Sequence, residues 1–472
     1  MAQSATRIGG PGRMEPSAIL DRFMLPVLAC VFALIVEPLI LFFVTGGANA
    51  PPTSMLDVRY ENKILWPVMA AIAIALAARH PSRLGKVPPH LLWLFAYLTL
   101  AGASFLWAFK PEVSFVRFLQ QVMVCVSVIL PAMMASRKAD MMRGLFWCFT
   151  VAAIVNFGFT FVVPQQIVDG IAIGNPGYFL GKNYLGECSG IGFLLALHEI
   201  RYRGARRWFG ILAAVIVIAN LFLANSKTAL GLAFVTPTIA GAALLLRKWT
   251  RVSPALLIFL GVCLYFALSS VSNFNVYRLS YMLYGDSTFT GRKTIWDFAN
   301  YEISVRPLLG WGYQSFWLVG PDAPSVLEAP GWVKTMPNAH NGYLDSMLEL
   351  GWVGYSLLLG FIFSTLHAVG RVFDRDHTRG WILLSLIFYV MISNGLESTW
   401  VRGFEFLWIV FLFLAAEVAR HGQAVPSAAR VQRPQGARPG GIGPSSGTAR
   451  RMPPKPRFVP TRRARFVARS QT

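Results

Sequence analysis

Residues 208–246 read WFGILAAVIVIANLFLANSKTALGLAFVTPTIAGAALLL. Two apolar runs, 208–224 and 228–246, are separated only by Asn225-Ser226-Lys227; Arg201, Arg203, Arg206 and Arg207 precede them, and Arg247, Lys248 and Arg251 follow. A bilayer core about 30 Å thick is crossed by roughly 20 apolar residues of helix, and Lys and Arg collect on the cytoplasmic side. The stretch therefore reads as an antiparallel pair of membrane helices with a tight outward turn and basic inward ends.

Outward from this pair, apolar blocks of similar length recur at 23–44, 62–78, 91–109, 115–135, 144–163, 184–199, 254–272, 343–369, 381–396 and 403–419. The expectation is an all-α polytopic membrane protein of about 12 transmembrane helices. Of the 472 residues 55% are apolar and 14% charged, against roughly 25% charged in soluble domains, which argues against a soluble enzyme. All five cysteines (Cys30, Cys125, Cys148, Cys188 and Cys263) lie inside apolar blocks as small hydrophobes and define neither a disulfide scaffold nor a redox compartment. Residues 23–44 run longer than a signal-peptide core, carry Glu37 and are followed by Pro51-Pro52, so Ala48-Asn49-Ala50 is not taken as a cleavage site.

With the N-terminus inside, the inner connections and the two tails hold 31 of the 43 Lys and Arg residues. The chain then divides into a cytoplasmic tail 1–22, spans one to nine over 23–272, an external loop 273–342, spans ten to twelve over 343–419, and a basic cytoplasmic tail 420–472. Residues 421–472 contain eleven Arg or Lys and no acid, a composition that buries no core and reads as disordered. Such a tail either binds anionic lipid headgroups, at about 1 kcal/mol per basic residue, or is a solvated segment that reinforces topology. It has no aromatic interleaving, so nucleic acid is not expected as a partner. The two halves show no internal match, which counts against a transporter built from inverted repeats.

Basic residues left on the outer side need a partner or a task. They include Lys182, Lys227, Arg278, Arg292, Lys293, Arg306, Lys334 and Arg402. Lys182 and Lys227 sit at membrane depth, where each either snorkels to the interface or holds an anion. Arg292 opens an amphipathic stretch that ends at Arg306-Pro307. A cation at a helix N-terminus opposes the macrodipole unless an anion joins it, which makes Arg292 an anion-site candidate; the alternatives are stacking on Trp296 or pairing with Asp297. Asn338 is the expected N-cap of span ten, placing His340 in its first turn, where the helix terminus favours the neutral, proton-accepting imidazole. Asp374-Arg375-Asp376 has the acidic spacing of nucleotide-sugar transferases but falls on the inner side. His340, Asp345 and Glu349 do not share one helix face, so no metal site is expected.

Gly291-Arg292-x-x-x-Trp296, Arg306-Pro307-Leu308-Leu309-Gly310-Trp311-Gly312 and Asn338-Ala339-His340-Asn341-x-x-Leu344-x-x-x-Leu348-x-x-Gly351 resemble the O-antigen ligase and polysaccharide polymerase family. Residues 310–317 and Glu397-Ser398-Thr399 look most like its exopolysaccharide-polymerase branch. The resemblance implies a GT-C-type membrane glycosyltransferase with a long periplasmic loop, located in the bacterial inner membrane. It would move glycan from undecaprenyl diphosphate to a sugar hydroxyl, with membrane lipids and a chain-length regulator as further partners and no cofactor. By motif, Arg292 matches the family's loop arginine and His340 its catalytic histidine; Lys227 stands where many members carry arginine, and loses bidentate phosphate contact.

Lys182, Lys227 and Arg292 together would hold the diphosphate, and His340 would take the acceptor proton. Arg306, Asn341 and Glu397 are expected in support. Tyr313, Trp317 and Trp332 either stack on sugars or pack the loop. An O-antigen ligase acting on lipid A core has the same donor chemistry, and a transporter or flippase for a lipid-linked or anionic solute is the reading from another class.

Overall fold

Each apolar block falls on a helix, because a segment in hydrocarbon must satisfy its backbone hydrogen bonds internally. The computed structural model describes residues 24–45, 60–136, 139–168, 171–272, 274–285 and 287–422. The tail 1–22, residues 423–472, the segment around Ala48-Asn49-Ala50 and Pro51-Pro52, and Arg137 and Lys138 lie outside these. The first span is α1 (Leu25–Val31) and α2 (Glu37–Thr45) joined by a π-helical turn over Phe32–Val36. It is followed by α3 (Tyr60–Arg79), α4 (Pro89–Ala103), α5 (Pro111–Met134) and α6 (Met141–Phe159). A two-stranded antiparallel hairpin, β1 (Gln166–Val168) and β2 (Ile171–Gly174), leads to α7 (Lys182–Ile200), α8 (Ala205–Ala224), α9 (Lys227–Thr250) and α10 (Pro254–Val271). The long loop carries α11 (Val276–Tyr284), α12 (Arg292–Val305) and α13 (Pro324–Leu327); α14 (Gly342–Phe373), α15 (His377–Ser393) and α16 (Phe406–Gly422) complete the order.

Among the described residues nine helices are long and apolar enough to cross a membrane, fewer than the twelve apolar blocks. The other three blocks are α7, α15 and α16. They are shorter or more polar, and are buried along almost their whole length by neighbouring helices. A helix sheathed in protein need not be as apolar as one facing lipid; α10, by contrast, is exposed almost throughout. Glu37, buried within the first span, accepts a hydrogen bond from Asn62 of α3 at 2.9 Å, and Asn62 in turn accepts one from Trp66. The intramembrane carboxyl is thereby held by hydrogen bonds rather than facing hydrocarbon.

Two sets of contacts define the ends of the bundle. At one, Arg206 bonds Glu199 and Asp140, Arg247 bonds Asp374, and Arg420 bonds the carbonyls of Ser136 and Ala139. Asp376 caps α15 there, so the Asp374-Arg375-Asp376 acids serve pairing and capping. At the other end the loop builds its own apolar core from Ile295, Phe298, Trp311, Phe316, Trp317 and Val333, continuous with Leu348 of α14. Trp317 packs the loop's own core, Tyr313 is buried against the bundle, and Trp332 is half exposed.

The loop is seated on an opening in α14. Gly351 (φ 63°, ψ −165°) breaks the helix in a region that essentially only glycine occupies. The break frees backbone groups that residues 307–312 take up. Trp311 and Gly312 donate to the carbonyls of Leu348 and Glu349, each at 2.9 Å, and Trp352 donates to the Pro307 carbonyl at 2.8 Å. A Cβ on Gly351 would lie 2.2 Å from the Leu308 oxygen, so the glycine and the Pro-Leu-Leu-Gly-Trp-Gly run form one structural unit.

Candidate functional site: a cavity under the loop

Segments 338–342 and 394–402, far apart in the chain, are laced together at the loop end. The Gly342 amide donates to the carbonyls of Asn394 and Glu397, at 2.9 and 3.0 Å. The Asn341 amide donates to Ser398 Oγ at 2.9 Å, while Asn394 Oδ1 accepts the amides of Thr399 and Trp400. Asn341, not Asn338, caps α14: its side chain accepts the amides of Tyr343 and Leu344. Asn338 instead accepts the amide of His340 at 2.9 Å. His340 therefore precedes the helix, in a left-handed conformation (φ 47°) uncommon for a residue with a Cβ. Such a backbone persists only where its surroundings over-determine it, a circumstance that clusters at functional sites.

Below it lies a second brace. Asp345 accepts the Ala339 amide at 3.1 Å and the Trp317 indole at 2.8 Å, and pairs with Arg402 at 3.1 Å; Arg402 also reaches Glu349 at 3.3 Å. These acids are thus committed to Arg402. Among the described residues no three His, Cys, Asp or Glu side chains could hold a metal ion.

Glu397 is the hub. Its Oε2 lies 3.1 Å from His340 Nδ1; its Oε1 accepts Arg292 Nη2 at 2.6 Å and Asn183 Nδ2 at 2.9 Å. Burial pushes the Glu397 carboxyl up, but the His340 hydrogen bond and the Arg292 charge outweigh it and hold the group below the usual carboxylate range. An ionised carboxylate only accepts, so His340 Nδ1 carries a proton, while Nε2 has no hydrogen bond among the described residues. Arg292 thus pairs neither with Trp296 nor with Asp297: Lys293 takes Asp297 at 2.6 Å, and Trp296 donates to the Ala339 carbonyl.

Lys182, at the start of α7, donates to the carbonyls of Ile173 at 2.8 Å and Asn225 at 3.4 Å. Burial, and after it the Lys227 charge, hold its ammonium below the usual lysine range. Gly186 lets α7 approach the Lys227 turn, since a Cβ there would lie 2.8 Å from Ser226 Cβ. Ser226 donates to Asn183 Oδ1 at 3.5 Å, which ties the Lys227 turn to the residue that binds Glu397. Lys182, Asn183, Glu187, His340, Glu397 and Thr399 are among the residues that line a cavity of about 370 Å³, within the range of small-molecule sites.

Two expected supporting residues serve elsewhere. Arg306 lies 4.0 Å over the Trp311 ring in the loop, its charge met by the aromatic face. Asn341 is a helix cap. Asn183 and Glu187 carry no motif that the sequence singled out, and the Asp345–Arg402 brace showed there only as an unexplained outer arginine.

Fold and cavity define a multi-pass helical membrane protein with an imidazole, a carboxylate and cations gathered under one loop. Residues 185–359 match the O-Antigen ligase family, bearing out the resemblance carried by the loop motifs. The match includes Lys227, Arg292 and His340; Glu397 lies beyond it. The chain is 26% identical over 278 residues to the "Exopolysaccharide production protein ExoQ" of Rhizobium meliloti (strain 1021), covering 57% of this chain and 62% of that protein. It is 27% identical over 128 residues to a "Putative polysaccharide ligase RP358" of Rickettsia prowazekii (strain Madrid E), covering 26% of this chain and 31% of that one. A "Putative polysaccharide ligase" of Rickettsia felis (strain ATCC VR-1525 / URRWXCal2) is 25% identical over 113 residues, 23% and 28% of the two chains. The alignments thus span about three-fifths of the Rhizobium protein and under a third of each Rickettsia protein.

Proposed function

We propose that this chain is an inverting, metal-independent glycosyltransferase. It transfers an oligosaccharide from undecaprenyl diphosphate to a sugar hydroxyl at the periplasmic face of the bacterial inner membrane, and so polymerises exopolysaccharide repeat units. In this reading residues 273–342 are the periplasmic loop, and the tails 1–22 and 420–472 are cytoplasmic. The observation that carries it is the convergence of His340 and Arg292 on Glu397 at the cavity that Lys182 lines.

The acceptor hydroxyl attacks the anomeric carbon opposite the diphosphate. As that C–O bond breaks, the acceptor proton passes to His340 Nε2, and the imidazolium is stabilised by Glu397. One displacement inverts the anomeric centre. General-base help of this kind is typically worth about 10²–10⁴-fold. The electron pair leaves on the diphosphate, whose charge Lys182, Lys227 and Arg292 receive. At an effective dielectric near 20, each cation about 4 Å away contributes on the order of 4 kcal/mol before desolvation, which is the service a metal ion would otherwise give. Arg292 spends one of its five N–H donors on Glu397 and keeps the others for phosphate oxygens.

A ligase that delivers glycan to lipid A core uses the same donor machinery, and the Rickettsia relatives are named putative polysaccharide ligases. The glycans of a deletion strain separate the two. Loss of secreted polymer with intact lipopolysaccharide is expected; intact polymer with truncated lipopolysaccharide would assign the ligase.

A further inference from the structure

Glu187 has no part in the chemistry above, yet it lines the same cavity. It lies one helical turn beyond Asn183 on α7, so it is on the same face and farther from the loop. Its side chain is buried (6% exposed), and its one hydrogen bond among the described residues is from Ser393 Oγ to Oε1, at 2.7 Å. Among the described residues no cation forms an ion pair with it, in contrast to Glu397. Thr399 also lines the cavity; it is 4% exposed, and its Oγ1 is buried with no hydrogen-bond partner among the described residues. Buried polar atoms left unpaired in a cavity wall cost free energy that a ligand able to hydrogen-bond them recovers.

The cavity wall is therefore of two chemical kinds. Of the residues that line it, Lys182 and Glu397, which holds Arg292, form a charged first group; Glu187 and Thr399 form a second, of acceptors and a hydroxyl with no ion pair among the described residues. A diphosphate fits the first and not the second. A sugar ring, uncharged and rich in hydroxyls, fits the second. We infer that Glu187 and Thr399 form a hydroxyl-binding subsite for a sugar ring of the donor or the acceptor, and so determine which sugar is processed. The inference rests on the glycosyl-transfer reading and deepens it.

The test uses the purified full-length protein with a lipid-diphosphate oligosaccharide donor, its acceptor, and deoxy analogues of each, one ring hydroxyl removed at a time. A site built to bond a hydroxyl rejects the analogue that lacks it, so the wild-type kcat/KM is expected to fall about 10-fold or more at one position. Glu187→Ala should lower kcat/KM on the complete sugar to a similar degree and show no further loss on that one analogue. Whether the sensitive hydroxyl is on the donor or the acceptor assigns the ring. Thr399→Val, which keeps the side-chain shape, should weaken discrimination at the same or an adjacent hydroxyl, and it provides the test should Glu187→Ala fail to fold. Undiminished discrimination in both variants overturns the subsite alone. A wild-type protein that turns over no lipid-diphosphate glycan overturns the glycosyl-transfer reading with it.

Discussion

Glu397 decides what His340 and Arg292 can do, because one carboxylate fixes the imidazole tautomer and balances the guanidinium. Glu397→Gln keeps the shape but removes the charge. Turnover is expected to fall by about 10²-fold or more, with the KM for the lipid-linked donor changed far less, as initial-rate kinetics will show. Unchanged kcat would separate Glu397 from the chemistry. At this scale the sequence made His340 and Arg292 legible, since an outer cation and a histidine beside asparagines need reasons to be there. It misdirected Arg306, whose charge is met by the Trp311 ring, and Asn338, whose side chain is taken by the His340 amide instead of capping a helix. Glu187 stayed hidden because a lone acid in an apolar helix has no motif; only the cavity gives it meaning.

Among the elements, α14 and α12 hold the loop in register. Gly351→Ala would force a side chain into a glycine-only conformation and against the Leu308 carbonyl. A loss of about 2–3 kcal/mol is expected, read as a lowered thermal midpoint together with faster proteolysis within 306–312. On α12, Glu302 is fully buried with neither carboxyl oxygen hydrogen-bonded among the described residues. Burial, together with the nearby Glu328 carboxyl, pushes it up to about 7 from 4.5. Below 4.5 it is protonated in both folded and unfolded chains. Between 4.5 and about 7 the unfolded chain releases the proton while the folded one keeps it, so stability falls as pH rises through this window and levels off above it. Glu302→Gln should flatten that slope and raise stability above pH 7 by on the order of 1 kcal/mol, seen in thermal midpoints of the detergent-solubilised protein across the window. The helix at 292–305 was readable from spacing and the Arg306-Pro307 step. The opening of α14 was not, since Gly351 in sequence is one helical glycine among several.

For the whole molecule, hydropathy located the apolar blocks but could not say which face lipid. Helices α7, α15 and α16 are shielded by their neighbours, and α7 bears the cavity's lysine, asparagine and glutamate precisely because it is interior. Convergence was the part of the site that sequence could state only as an expectation: Lys182, Arg292 with His340, and Glu397 come from three separate connections. The central claim is that this convergence is a sugar-transfer centre. Its most direct measurement is release of lipid diphosphate from a lipid-diphosphate glycan by the purified protein in detergent, where no transmembrane gradient can drive transport. Wild-type protein is expected to turn over, and His340→Ala, folded by the same thermal midpoint, to lose about 10²-fold or more of that rate. A His340→Ala protein with full turnover would contradict the account.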